Sequence, residues 1–125
     1  MCGQCGRVSV VSVRGWVDKE SVKVVGDECF VYVGRGCNGW LGSCLGNRFV
    51  IGRDGDRGEV IRKYKVWLWG EWKKGKGEVW CEVMRLVELV ESGEDVVLGC
   101  WCVPLACHGE VIRDLVLWVV RGRCG

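Results

Sequence analysis

The feature that most constrains the fold is an apolar run, VVLGCWC, at residues 96–102, followed by a helical pattern from Gly109. The run shows almost no apolar–polar alternation, which is typical of a strand buried on both faces of a parallel sheet. After Gly109 the apolar residues recur every three or four positions, as they do on one side of a helix. This part of the chain therefore predicts a central strand, a turn and a helix.

The earlier segments complete an α/β domain. Alternating β-branched residues predict strands at residues 8–13 and 29–33. Asp56 and Glu59 have the spacing of a capping box and predict the start of a first helix, and a second helix is predicted over residues 78–91. The predicted fold class is α/β: a short, partly parallel sheet of about three or four strands flanked by about three helices, with a Rossmann-like strand–turn–helix in the C-terminal half. The helix residues expected to face the core are Val60, Ile61, Tyr64, Trp67, Leu68, Val79, Val83, Leu86, Val87, Val90, Val111, Ile112, Leu115, Val116 and Val119.

Composition limits the number of domains and the class of partner. A chain of 125 residues with 49% hydrophobic content predicts one domain spanning residues 1–125. Its 18 basic and 16 acidic residues are well mixed, so charge alone indicates neither nucleic acid nor a membrane as a partner. The apolar runs are much shorter than the roughly 18 to 20 residues that cross a bilayer. Ten cysteines without an export signal at the start predict a cytoplasmic protein with reduced thiols.

The turn CWCVPLACHG is the main candidate site. It joins the carboxyl end of the predicted central strand to the amino end of a helix, which is where open α/β folds bind ligands. Free backbone N–H groups and the helix dipole favour a phosphate there, and Gly109 permits close approach of the backbone. His108 and Cys107 are the candidate catalytic residues, since a thiol beside a histidine at a helix start is activated. The alternative is that both residues only cap and pack the turn.

Two other functions compete for these residues. Cys100, Cys102, Cys107 and His108 have acceptable chemistry for zinc, although adjacent ligands at 107 and 108 would strain to reach one ion. We therefore predict no cofactor, with zinc as the competing interpretation. The aromatic and basic residues between 67 and 76 could contact a single strand, but Trp67 falls on the predicted core side and the lysines in a loop, so nucleic acid is not favoured.

Three segments, FVYVGRG, GSCLGNRFVIGRDGDRGEVIRKYKVWL and VVLGCWCVPLACHGEVIRDL, resemble a small bacterial and phage family catalogued as domain of unknown function 4326. The resemblance covers about residues 30–115. The chain departs from the family pattern in having Cys44 and Arg48 where prolines are usual and Glu110 where aspartate is common. The glycine-rich loop at residues 34–55 follows the second predicted strand. The resemblance implies that this loop and the cysteine–histidine turn form two walls of one pocket. The positions that match the family motif are Arg35, Gly46, Asn47, Phe49, Gly52, Arg57, Tyr64, Cys100, Cys102, Pro104, Cys107, His108 and Gly109.

The sequence leads to two hypotheses of different class. The first is binding of a phosphate-bearing nucleotide or nucleotide-derived metabolite, such as an ADP-ribose-like compound, in phage or bacterial nucleotide metabolism or defence; hydrolase or transferase activity is left open. The second is a non-catalytic module that binds a host or defence protein, with Trp40, Trp69 or Trp72 as exposed anchors. The ligand-binding residues expected under the first hypothesis are Arg35, Trp40, Gly46, Asn47, Phe49, Arg57, Tyr64, Cys102 and Gly109.

Overall fold

The computed structural model describes residues 6–12, 29–34, 43–49, 51–100 and 108–124. The elements follow in the order β1 (Val8–Ser12), β2 (Cys29–Tyr32), α1 (Arg57–Lys73), α2 (Glu78–Glu91), β3 (Val96–Cys100) and α3 (His108–Cys124). This order and the α/β class confirm the predictions from sequence. The last helix begins one residue earlier than expected, and the second strand is one residue shorter.

The three strands form a parallel sheet in the order β1–β3–β2. The central strand β3 is buried along its whole length, as its continuous apolar run predicts, whereas residues of β2 are only half-buried. Val10 and Val31 both stand opposite Leu98, so one apolar row crosses the sheet. Because all three strands run the same way, their carboxyl ends meet at one edge of the sheet.

Local sequence explains how α1 begins and how α2 ends. The backbone N–H of Glu59 donates to Asp56 Oδ1 at 2.9 Å and the Asp56 N–H donates to Glu59 Oε1 at 3.3 Å, which completes the predicted capping box. Helix α2 ends at Glu91, and the turn that closes it passes through Gly93, where φ is 96°. The Gly93 N–H donates to the Val90 carbonyl and the Glu94 N–H to the Leu89 carbonyl. Glycine is favoured at such a left-handed helix end because it has no Cβ.

The core lies between the sheet and the helices. The apolar sides of α2 and α3 contact the sheet, and α1 packs against both helices. Most helix residues that were expected to face inward are buried, but Ile61, Trp67 and Val79 are only half-buried and pack at its margin. None of the described helices is long and apolar enough to cross a membrane.

Candidate functional site

The amino end of α3 is fastened to the carboxyl edge of the sheet. Val33 follows β2 and extends its pairing, because its N–H donates to the Gly99 carbonyl at 3.0 Å. The Val33 carbonyl in turn accepts a hydrogen bond from His108 Nε2 at 2.6 Å. The first residue of α3 therefore lies over the end of β2, although 75 positions separate the two residues in sequence.

His108 is the only buried polar or charged residue among those described, with 6% of its surface exposed. Since a carbonyl oxygen can only accept, Nε2 carries a hydrogen, and in a neutral imidazole Nδ1 is then the unprotonated nitrogen. The ring also meets Tyr64 edge to face, with centroids 5.2 Å apart and an interplanar angle of 76°. Both contacts fix the orientation of the imidazole.

Tyr64 connects α1 to the loop at residues 43–49. Its side chain is fully buried, and its hydroxyl donates to the Leu45 carbonyl at 2.5 Å. A buried tyrosine hydroxyl normally finds such a partner, since an unpaired one would lose its hydration without compensation. The contacts of Tyr64 and His108 thus link α1, α3, the loop and the end of β2 in one chain of interactions.

The loop at residues 43–49 is held against the segment that follows β2. The Ser43 N–H donates to the Gly34 carbonyl at 3.0 Å, while Ser43 Oγ accepts from the Leu45 N–H at 3.0 Å. A Cβ on Gly46 would lie 3.1 Å from the carbonyl oxygens of Gly34 and Ser43, so this close backbone approach favours glycine. Asn47 Oδ1 accepts from the Phe49 N–H at 2.9 Å, an Asx turn that shapes the end of the loop.

The two residues that stand where prolines are usual fasten the loop to the helices. The Arg48 guanidinium lies over the Trp67 ring at 5.4 Å from its centroid, and Cys44 Sγ lies 3.9 Å from the Glu78 carbonyl. Burial raises the pKa of the Cys44 thiol, and the carboxylates of Glu78 and Glu82 raise it further. Side-chain contacts with α1 and α2 therefore restrain the loop at both positions.

The structure brings several of the predicted ligand-binding residues into this region. Gly46, Asn47 and Phe49 lie on the loop, Tyr64 lies beneath it, and Gly109 is buried as the second residue of α3. Arg57 is the first residue of α1. It stands seven positions before Tyr64, which places both on the same side of the helix, about 10 Å apart along the axis. Four predicted site residues lie outside the described residues: Arg35, Trp40, Cys102 and Cys107.

Two of the four candidate zinc ligands, Cys100 and His108, lie within the described residues. Within the described ranges, no group of three or more histidine, cysteine or acidic side chains could hold a metal ion. Of the four candidate zinc ligands, Cys100 is a buried free thiol and His108 already uses Nε2 for the Val33 carbonyl. The remaining two, Cys102 and Cys107, are outside the described residues.

The expectation that Trp69 and Trp72 are exposed needs correction. Trp69 and Trp72 are not the exposed anchors that were predicted, because each is half-buried in an aromatic pair. Trp69 meets Trp118 with centroids 5.1 Å apart, and Trp72 stacks on Trp80 at 5.7 Å. Sequence reasoning also missed the two backbone carbonyls at positions 33 and 45, which carry no signal of their own; the only hint is a tyrosine on the core side of a helix, which requires an acceptor.

A cavity of about 360 Å³ lies where α1 meets α2, and none of the predicted site residues lines it. Its walls carry both charge signs, from Glu71 and Glu78 and from Lys74 and Lys76. Lys74 also pairs with Glu71. The cavity is therefore a feature separate from the convergence at His108.

Comparison with known proteins agrees with the sequence motifs. No curated protein and no solved structure matches the chain. The model of one family, domain of unknown function 4326, matches residues 17–118. This range includes β2, β3, the first residues of α1, α2 and α3, and the loop at residues 43–49. The match covers 102 of the 125 residues. The chain therefore belongs to the domain of unknown function 4326 family.

Proposed function

We propose that this domain binds a phosphate-bearing nucleotide or nucleotide-derived metabolite at the carboxyl edge of its sheet. The observation that carries the proposal is the fastening of the α3 amino end to the end of β2, through the 2.6 Å bond between His108 and the Val33 carbonyl. In open α/β folds this edge is the usual ligand position. The loop at residues 43–49 lies beside it and provides a second wall.

The chemistry of the surrounding residues favours an anion with an attached ring. A helix amino end presents backbone N–H groups and the positive end of the dipole, and Gly109 adds no side chain that would keep a phosphate away. Arg57 supplies positive charge, and Arg35 is a second candidate from sequence. Asn47 and Phe49 on the loop are suited to bind the sugar and to stack on the base, together with Trp40.

The same site could also catalyse a reaction on the ligand that it binds. His108 has one ring nitrogen committed to Val33, so acid or base chemistry would use Nδ1. Cys107, its neighbour in sequence, is the candidate nucleophile. We propose binding as the primary function, and turnover by hydrolysis or group transfer as an activity to be measured once a ligand is known.

The setting proposed for this function is the cytoplasm of a bacterial host cell, in phage or bacterial nucleotide metabolism or defence. The four cysteines whose side chains are described, Cys29, Cys44, Cys81 and Cys100, are free thiols. Free thiols agree with a reducing compartment.

The binding proposal is tested by thermal shift with ADP and ADP-ribose, using adenosine and ribose as ligands without phosphate. At a hundredfold excess over Kd, a ligand stabilises the fold by about 2.7 kcal/mol. With an unfolding entropy of about 2.1 cal/mol/K per residue, this corresponds to a rise in Tm of about 10 °C. Absence of a shift with every phosphorylated compound, or equal shifts with and without phosphate, would contradict the proposal.

The matched variants are Arg57→Ala and Arg62→Ala. Both remove one arginine from α1, but Arg57 lies on the side of Tyr64 and Arg62 is exposed on the other side of the helix. Only the first should reduce the ligand-induced shift. His108→Ala is a poor test, because the buried ring packs against Tyr64 and its loss will destabilise the ligand-free fold.

We propose further that no metal is required. A zinc ion at the cysteine–histidine turn would have to use Nδ1 of His108, because Nε2 already donates to Val33. Elemental analysis of protein purified without chelator should find well under one zinc per chain. A stoichiometric ion that is lost together with folding in Cys102→Ser would make the cluster a structural metal site instead.

A further inference from the structure

An apolar surface lies across α1 and α3, away from the start of α3. Val66 on α1 is 71% exposed and Trp118 on α3 is 57% exposed. Trp69 stands one helical turn after Val66 and meets the Trp118 ring edge to face. Val66, Trp69 and Trp118 therefore form one continuous patch, which we call the Trp118 surface. A tryptophan that is more than half exposed is a typical anchor of protein–protein interfaces.

The Trp118 surface also contains an unsatisfied hydrogen-bond donor. Trp69 Nε1 is buried and has no partner among the described residues. Buried indole N–H groups usually find an acceptor, so an unpaired one beside an exposed ring is unusual. An oxygen from a partner would reach this buried donor only if the Trp69 and Trp118 rings moved apart, so the donor by itself does not select a partner.

The charges around the Trp118 surface are mostly positive. One group of exposed cations lies within one or two helical turns of the patch and forms no ion pair with any described residue: Arg62, Lys65, Lys73 and Arg121. Two carboxylates of the described residues lie equally near: Asp114, one turn before Trp118, pairs with Arg113 at 3.4 Å, and Glu59, two turns before Val66, accepts from the Asp56 N–H. Among the described residues around the patch, four cations outside any ion pair therefore stand against two carboxylates that already have partners.

This charge distribution selects the partner. A second copy of the chain would bring the same four cations against the patch, and like charges placed together oppose association. An acidic segment would pair with them, while its apolar side chains would cover Val66 and Trp118. The patch spans two neighbouring helices, which suits an amphipathic helix lying along them.

We propose that the Trp118 surface binds an acidic amphipathic helix of another protein. The surface is separate from the proposed nucleotide site, because Trp118 lies ten residues after His108, which is about 15 Å along α3. Peptide binding at the Trp118 surface therefore does not depend on whether the proposed nucleotide site exists.

The test uses fluorescence anisotropy with two labelled model peptides of equal length. Both carry the same leucine and phenylalanine side, while the polar side is glutamate in one and lysine in the other. The full-length protein should bind the glutamate peptide at least about tenfold more tightly than the lysine peptide, and added NaCl should weaken that binding. A labelled single-stranded oligothymidine is the third ligand, because aromatic and basic residues also suit nucleic acid.

Variants locate the binding to the patch. Val66→Asp changes an exposed side chain opposite the core, so the variant should fold normally and bind the glutamate peptide about tenfold more weakly. Trp118→Ala should have the same effect on peptide affinity. Lys65→Glu should also weaken binding. Its matched control is Lys76→Glu, which makes the same charge change at an exposed position outside the surface and should leave binding unchanged. Circular dichroism checks that each variant is folded.

Three results would overturn the proposal. The first is equal binding of the two peptides, or no binding of the glutamate peptide. The second is unchanged affinity in folded Val66→Asp. The third is binding of the oligothymidine in place of the peptide, which would assign the Trp118 surface to single-stranded nucleic acid. None of these results bears on the nucleotide thermal shift, so failure of this inference and failure of the proposed function can be told apart.

Discussion

Replacing Tyr64 with phenylalanine tests whether the loop at residues 43–49 depends on one buried hydrogen bond. The change removes only the hydroxyl that donates to the Leu45 carbonyl at 2.5 Å, and it keeps the ring that packs against His108 and Trp67. Tyr64 and Leu45 are both fully buried, so water cannot readily replace the lost donor. When one partner of such a bond is removed and the buried carbonyl has no other donor, the free energy of unfolding falls by about 1–3 kcal/mol.

The expected fall in Tm follows from the size of the chain. An unfolding entropy of about 2.1 cal/mol/K per residue gives about 0.26 kcal/mol/K for 125 residues, so a loss of about 2 kcal/mol lowers Tm by about 8 °C. Differential scanning calorimetry measures this shift. Hydrogen exchange should also show faster exchange in residues 43–49, whereas the amides of α2 change little.

The control is Ser92→Ala, which also removes a hydroxyl that donates to a backbone carbonyl. Ser92 Oγ donates to the Leu89 carbonyl at 2.8 Å, but this bond is exposed at the end of α2 and water can replace it. Its loss should cost less than about 0.5 kcal/mol. Equal Tm shifts in the two variants, or unchanged exchange in the loop of Tyr64→Phe, would refute the conclusion that this bond fastens the loop.

Three further predictions concern the helices, the start of β1 and the loop thiol. Asp56→Ala removes the side-chain cap of α1 and should lower the free energy of unfolding by about 1 kcal/mol in a urea titration, because the Glu59 N–H loses its acceptor. Gly6→Ala should destabilise the fold by about 1–3 kcal/mol, since the new Cβ would lie 1.7 Å from the Glu94 carbonyl oxygen. Gly70→Ala, at a helix position with open space around it, should stabilise the fold by about 0.5–1 kcal/mol. In thermal melts, the Tm values of the two variants should therefore move in opposite directions. Because the pKa of Cys44 is raised by burial and by the nearby carboxylates, less of it is thiolate at pH 8, and mass spectrometry should find slower alkylation by iodoacetamide at Cys44 than at exposed Cys81; equal rates would contradict this.

Signals confined to neighbouring residues were sufficient to predict most of the fold. The capping box at Asp56 and Glu59 fixed the start of α1, because both hydrogen bonds lie within one turn and need nothing from the rest of the chain. The uninterrupted apolar run of β3 predicted a strand buried on both faces, and it lies in the centre of the parallel sheet. Helical spacing placed Tyr64 and Leu68 in the core correctly.

Contacts between distant segments could not be predicted in the same way. The bond from His108 to Val33 joins residues 75 positions apart, and its acceptor is a backbone carbonyl that every residue possesses. The pairing of Trp69 with Trp118 likewise depends on how α1 packs against α3. Helical spacing correctly placed Val119 in the core, but it could not tell whether the adjacent Trp118 would be covered by a neighbouring helix.

The geometry of His108 separates two roles that its position in sequence allowed equally. A histidine at the start of a helix and beside a cysteine suggests a catalytic group, yet this imidazole is buried and donates through Nε2 to the end of β2. That bond needs hydrogen on Nε2, so the ring orients the amino end of α3 whether or not Nδ1 takes part in a reaction. A ligand that uses the backbone N–H groups of α3 therefore depends on His108 even if it never touches the ring. Loss of binding in a His108 variant would accordingly not show that the ring contacts the ligand, and only a change in the pH dependence of turnover, with the fold preserved, would make His108 an acid or base.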